Sequence, residues 1–219
     1  MVPFRNFVGS VAFLAVFTGV ANAGLVNVFL DSASGVGSSQ SYGAAYQGTM
    51  QWSYTSGTTA TITVNLTNTS SVASILTAFV VGMANPSFVV TQASAPTGYS
   101  QLTGNGLKAT PFGDFDWGSA STSSFNGGGS GANGGLARGQ SGTWTFSVSG
   151  NAASLAAVNS AAVFNGANQW DFVAHIKGIQ SGGTVSEKLT SSLMGTALPG
   201  PAAISMLALA GAMPRRRRA

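Results

Sequence analysis

The feature that most constrains the fold is a period-two alternation of apolar and polar residues in several short segments. In residues 61–66, Ile62, Val64 and Leu66 alternate with Thr61, Thr63 and Asn65. Alternation of this kind places the apolar side chains on one face of a half-buried β-strand. The same pattern recurs in residues 143–148, where Trp144, Phe146 and Val148 share a face, and in residues 169–177, where Trp170, Phe172, Ala174 and Ile176 do.

Further strands are predicted at residues 25–30, 49–54, 75–81, 87–91 and 112–117, and the Ala-rich stretch 152–164 predicts one short helix. Only 6% of the residues are charged, against about 25% in a typical globular chain. Gly, Ser, Thr and Asn replace them, which favours short strands joined by turns. The expected fold is all-β, an antiparallel β-sandwich or jelly roll, flanked by an N-terminal signal helix and a short C-terminal hydrophobic helix.

The N-terminus has the three parts of a secretory signal peptide. Arg5 lies in a short polar region, residues 7–20 are apolar, and Ala21-Asn22-Ala23 forms an A-x-A site. Cleavage is expected after Ala23, which predicts a signal peptide over residues 1–23 and a body over residues 24–196. Signal peptidase and Sec-type export machinery are the implied partners.

Residues 197–219 form a second distinctive segment. Pro199-Gly200-Pro201 precedes twelve uncharged residues, 202–213, and Arg215, Arg216, Arg217 and Arg218 follow Pro214. As a helix the uncharged run would cover roughly 18 Å, short of a ~30 Å hydrocarbon core. It is therefore a marginal transmembrane helix, and the arginines would keep its end on the cytoplasmic side.

This tail resembles the PEP-CTERM sorting signal of exported bacterial proteins, with Pro-Gly-Pro in place of Pro-Glu-Pro. The body shows a looser resemblance to compact members of that group, carried by residues 113–118, 126–135, 142–146 and 172–179. The resemblance implies processing by an exosortase-like membrane enzyme, transient anchoring in the inner membrane, and a final location at the cell surface or outside the cell. The expected processing residues are Ala21, Ala23, Pro199, Gly200, Pro201 and Arg215 to Arg218.

The charge of the body excludes a nucleic-acid footprint. Between the two terminal segments four basic and five acidic residues remain, a net charge of −1, and the basic residues are scattered. A nucleic-acid-binding domain needs clustered positive charge. The chain has no cysteine and one histidine, His175, which excludes thiolate chemistry and a multi-histidine metal site. On its predicted strand His175 points away from Phe172 and Ile176, so it is expected to face outward.

Asp114 and Asp116 are the only close acidic pair. Two residues apart on a strand they would lie on one face, roughly 7 Å from each other. This spacing could serve Ca²⁺ binding or glycoside hydrolysis, although capping of a turn is the commoner role of such residues. No other cofactor is expected.

The expected function is a non-enzymatic exported surface or extracellular-matrix protein. One alternative is a carbohydrate-binding module for exopolysaccharide, in which an exposed tryptophan such as Trp117 stacks on sugar rings; core packing is the commoner role of Trp52, Trp144 and Trp170. A second alternative is a glycan hydrolase that uses Asp114 and Asp116, and a third is a calcium-stabilised structural domain.

Overall fold

The structure is a computed structural model that describes residues 24–37, 42–103, 107–126, 134–165, 171–179, 185–191 and 194–198. These residues form two antiparallel sheets, which confirms the expected all-β class. The predicted signal helix and C-terminal helix lie outside the described residues. The strands are β1 (Gly24–Asp31), β2 (Tyr46–Tyr54), β3 (Thr59–Asn68), β4 (Ile75–Val81), β5 (Val89–Ser94), β6 (Ser100–Gln101), β7 (Trp117–Ala120), β8 (Leu136–Ala137), β9 (Ser141–Ser149), β10 (Phe172–Ile179), β11 (Val185–Ser191) and β12 (Met194–Leu198).

Sheet A has the strand order β12-β1-β2-β3-β9-β5, and burial alternates along β1, β2, β3 and β9. In β3 the side chains of Ile62, Val64 and Leu66 are buried, whereas Thr61 and Asn65 are exposed. Sheet A therefore has one face in the core and one face toward solvent, the usual arrangement of an antiparallel sheet.

Sheet B has the order β11-β10-β4-β7-β6, with β8 also paired to β4. Its central strands β4 and β10 are buried on nearly every residue. A strand without alternating burial must be covered on both faces. One cover is sheet A, and the other is a pair of loops that flank β7.

The main core lies between the two sheets and is rich in aromatic side chains. Phe79 of β4 stands at its centre, stacked on Phe172 with ring centroids 5.7 Å apart and in edge contact with Trp144 at 5.1 Å. Trp117 and Phe146 complete the cluster at 4.6 Å from each other. Large aromatic rings supply much of the apolar area that a sandwich of this size needs to bury.

The second face of sheet B is covered by residues 107–116 and 121–126, here called the cover loops. Phe115 and Phe125 from these loops pack on Ala78 and Val80 of β4 and on Val173 of β10. The cover loops form a smaller apolar cluster of their own. Their presence explains why β4 and β10 are buried on nearly every residue although β10 contains His175 and Lys177.

Several sequence predictions need correction in this region. Residues 112–116 are not a strand: β7 begins at Trp117, and Lys108 and Asp114 form only an isolated bridge. The backbone turns here because Phe112 N–H donates to the Ala109 carbonyl. No pattern in the sequence predicted the strands β6, β8, β11 and β12. The prediction of one short helix is confirmed: α1 spans Ala152–Ala156, and a 3-10 turn follows at Ala161–Phe164.

The ends of the described body lie side by side. β1 pairs antiparallel with β12, and Leu25 stands opposite Leu198 in the register. The strand β12 includes Ala197 and Leu198, the first two residues of the predicted tail. Within the described residues, no helix is both apolar enough and long enough to cross a lipid bilayer.

Candidate functional site

The tryptophans that the structure describes are core residues. Trp52, Trp117 and Trp144 are at most 1% exposed. Trp117 is held between Phe79 and Phe146, so its ring has no face free for a sugar. Trp117 is therefore not the exposed tryptophan that the carbohydrate-stacking alternative requires, because β7 begins at Trp117 and this side chain lies in the main core between the sheets. Trp170 lies outside the described residues.

Asp114 and Asp116 are both exposed, and Phe115 between them is buried. The carboxylate of Asp114 is 4.0 Å from the Lys108 ammonium and is largely exposed. Asp116 accepts a hydrogen bond of 2.6 Å from the backbone N–H of Met83. The second contact ties the cover loops to the residue two positions after β4, a long-range structural role that differs from the turn capping favoured by the sequence.

The acidic pair lacks further ligands among the described residues. No group of three or more His, Asp or Glu side chains that could hold a metal ion occurs in that part of the chain. Asn126 of the cover loops donates its side-chain N–H to the Lys108 carbonyl at 2.9 Å. Ca²⁺ prefers six to eight oxygen ligands, and the geometry around Asp114 and Asp116 gives this hypothesis no added support.

His175 is buried, and the expectation that it faces outward as an exposed side chain is wrong. It does lie on the face of β10 away from the main core, but the cover loops leave it only 2% exposed. Its Nδ1 lies 2.7 Å from the Phe125 carbonyl oxygen, which makes Nδ1 the protonated nitrogen. Nε2 has no hydrogen-bond partner among the residues that the structure describes. The imidazole thus joins β10 to the cover loops.

The surroundings of His175 disfavour its charged form. Burial lowers its pKa from 6.5 to about 4; the Phe125 carbonyl opposes this shift, and the charges of Lys177 and Lys188 add to it. A neutral, enclosed imidazole is poorly placed for acid–base chemistry on an external substrate. His175 serves the packing of the cover loops.

Two further ionisable side chains are buried, and their burial was not predicted from the sequence. Lys177 of β10 is 5% exposed and Glu187 of β11 is 2% exposed. Burial lowers the pKa of Lys177 and raises the pKa of Glu187. Glu187 accepts a hydrogen bond of 3.4 Å from the Tyr42 backbone N–H. The two groups lie on opposite faces of sheet B, so they do not combine into one site.

A shallow pocket lies at the end of the sandwich next to α1 and the 3-10 turn. Its volume is about 200 Å³, below the roughly 300–1,000 Å³ of typical ligand sites. Its lining is neutral and includes Asn85, Phe88, Val158, Asn159 and Val163. No titratable side chain belongs to the lining, so the pocket offers no acid or base that could activate the hydroxyl groups of Ser154 and Ser160.

No family model, curated protein or solved structure matches the chain.

Function must therefore be argued from the residues themselves. The predicted processing residues Ala21, Ala23, Pro199, Gly200, Pro201 and Arg215 to Arg218 all lie outside the described residues. What the structure contributes is the form of the body that these segments would deliver, and the place where each segment is attached to it.

Proposed function

We propose that the chain is an exported bacterial surface or extracellular-matrix protein without enzymatic activity, delivered by its N-terminal leader and sorted through its PEP-CTERM-like tail. The leader and the arginine-ended tail carry this proposal. The body adds support, since the three tryptophans that the structure describes and His175 serve packing. The partners under the proposal are signal peptidase, Sec-type export machinery and an exosortase-like enzyme, with no nucleic acid.

The pairing of Leu25 with Leu198 is the structural observation that supports the proposal best. Neighbouring strands are about 4.8 Å apart. The leader before Gly24 and the tail after Leu198 therefore attach to the body at one corner of sheet A. A body joined to the membrane at one corner leaves its remaining surface free for other contacts, and both processing steps act at the same end of the domain.

The test is mass spectrometry of both termini of the protein taken from its native envelope. We expect a mature N-terminus at Gly24 and recovery in the membrane or external fraction. Replacement of Arg215 to Arg218 by Gln should reduce membrane retention of the precursor, whereas Arg138→Gln, an exposed arginine of the body, should not. Recovery of the intact polypeptide from the cytoplasm, with its leader uncut, would contradict the proposal.

The described residues weaken the carbohydrate-binding alternative in its aromatic form, because Trp52, Trp117 and Trp144 are buried. The hydrolase alternative rests on Asp114 and Asp116. Of these, Asp116 is engaged with the Met83 backbone, and the carboxylate of Asp114 stands beside the Lys108 ammonium. Activity of the mature protein on glycans, lost in Asp116→Asn, would revive that alternative.

A further inference from the structure

The solvent face of sheet A has an unusual composition. In the three adjacent strands β2, β3 and β9, all fourteen outward-facing residues are Ser, Thr, Asn or Gln. Seven of them are threonines. We call this set the hydroxyl face: Gln47, Thr49, Gln51, Ser53, Thr59, Thr61, Thr63, Asn65, Thr67, Ser141, Thr143, Thr145, Ser147 and Ser149.

Strand register arranges these side chains in rows across the sheet. Thr49, Asn65 and Thr143 stand in one row, and Gln51, Thr63 and Thr145 stand in the next. Rows repeat at roughly 6.8 Å along a strand, and neighbours within a row are about 4.8 Å apart. The result is a regular array of hydroxyl and amide groups on a continuous sheet surface.

Hydrogen bonds between side chains hold part of the array in one arrangement. Thr143 donates to Asn65 Oδ1 at 2.7 Å, and Asn65 donates in turn to Thr49 Oγ1 at 3.4 Å. Thr67 and Ser141 are bonded at 2.7 Å. Threonine also has restricted χ1 freedom. A ligand that binds here would therefore pay little side-chain entropy.

The hydroxyl face carries no charge. Only 6% of the chain is charged, against about 25–35% of the residues on a typical domain surface, so the neutrality of this face follows the composition of the whole chain. Charged residues of the described body lie elsewhere. Lys108 and Asp114 belong to the cover loops, and Lys188 donates to the Thr110 carbonyl beside them. Asp31, at the end of β1, uses its carboxylate to cap Ala33 N–H.

We infer that the hydroxyl face is a docking surface for a neutral, hydroxyl-rich polysaccharide. Threonine presents a methyl group beside a hydroxyl, which matches the C–H surfaces and hydroxyl edges of a sugar ring. Every side chain of the array carries a hydroxyl or amide group that can both donate and accept hydrogen bonds. Many weak contacts along one polymer chain would add up through multivalency.

The same composition disfavours other partners. A charged polymer would lose hydration against this face without gaining an opposite charge. A protein interface needs a core enriched in aromatic or other apolar residues. The exposed Phe29 and Val89 stand opposite Thr49 and Ser149 at two borders of the array, so its centre has no such side chain. The inference deepens the proposed function, on which it rests only for the presence of such polymers outside the cell.

The experiment measures depletion of the purified mature protein by an insoluble neutral glucan and by an insoluble anionic polysaccharide. We expect binding to the neutral glucan that persists at high salt, since no ion pairs are involved. Thr63→Lys places a charge at the centre of the face and should weaken binding at least about tenfold, equivalent to ~1.4 kcal/mol. Ser186→Lys, on an exposed position of β11, is the matched control and should bind like the wild type.

Thr145→Lys repeats the test from the neighbouring strand in case Thr63→Lys does not fold, and a thermal melt verifies each variant. Salt-sensitive binding to the anionic polymer alone would overturn the inference, as would equal binding by Thr63→Lys and wild type. Dimers that dissociate in Thr63→Lys, without retention on the glucan, would identify the face as a self-association surface instead. Terminus mapping tests export separately, so an exported protein that fails to bind neutral glucan contradicts only this inference.

Discussion

The side chain of Gln101 closes the free edge of β5 by accepting a hydrogen bond of 2.7 Å from the backbone N–H of Gln92. The same amide donates to the Val90 carbonyl, also at 2.7 Å. Because β9 occupies the other side of β5, Gln101 takes the place of a missing neighbour strand. Gln101 itself belongs to β6 of sheet B, so the contact also joins the two sheets at one border of the sandwich.

Gln101→Ala should expose this edge. Two hydrogen bonds are lost, and at about 0.5–1.5 kcal/mol each we expect the free energy of unfolding to fall by about 1–3 kcal/mol. An unpaired, uncharged edge strand also favours association between chains, so light scattering should rise with protein concentration. The control is Gln47→Ala on an exposed position of β2. Equal stability of the two variants would show that the edge contact is dispensable.

The buried imidazole of His175 should make stability depend on pH. Its pKa is lowered from 6.5 to about 4 in the folded protein, so the unfolded chain binds this proton first as the pH falls. Stability should therefore decrease from about pH 6.5 down to about pH 4, by on the order of 3 kcal/mol, and then change no further from this group.

The measurement is denaturant unfolding of the wild type and of His175→Gln across this pH range. Glu187, whose pKa is raised by burial, acts with the opposite sign, but it is common to both proteins and cancels in the difference. We expect a flatter profile for the variant. Parallel profiles would mean that His175 has the same pKa in the folded and the unfolded chain, which would contradict its burial-lowered pKa.

Truncation of Trp117 should test core packing against carbohydrate stacking. Trp117→Ala removes a buried ring and should cost about 3–5 kcal/mol of unfolding free energy, while Trp117→Phe should cost less. Phe29→Ala, at a position 56% exposed, should change stability by no more than about 0.5 kcal/mol. Loss of polysaccharide retention in a stable Trp117→Phe variant would restore the stacking role.

Asp116 should stabilise the fold through its hydrogen bond with the backbone of Met83. Asp116→Ala leaves that buried N–H without its partner and should lower the free energy of unfolding by about 1–3 kcal/mol, whereas Asp114→Ala should cost at most about 1 kcal/mol. Thermal melts with millimolar Ca²⁺ and with a chelator should coincide. A melting temperature that rises with Ca²⁺ in the wild type but not in Asp116→Asn would instead establish a calcium site.

The strand predictions succeeded where one face of the strand meets solvent. In β1, β2, β3 and β9 the inward positions differ from the outward positions in hydrophobicity, so the alternation identifies both the strand and its faces. Prediction failed in residues 112–116 and at His175. There, burial is produced by the cover loops, which are distant in sequence from β10, and no local pattern reports such a contact.

The sequence by itself determined the all-β class, the inward faces of the strands in sheet A, and the two terminal segments that carry the export proposal. These depend on local periodicity and on short motifs that the residues display without partners. The tertiary structure decided that Trp117 is a core residue, that His175 is enclosed, and that fourteen neutral side chains form one array. Each of these depends on strand order and register, and only the pairing of β3 with β2 and β9 brings the residues of the array together.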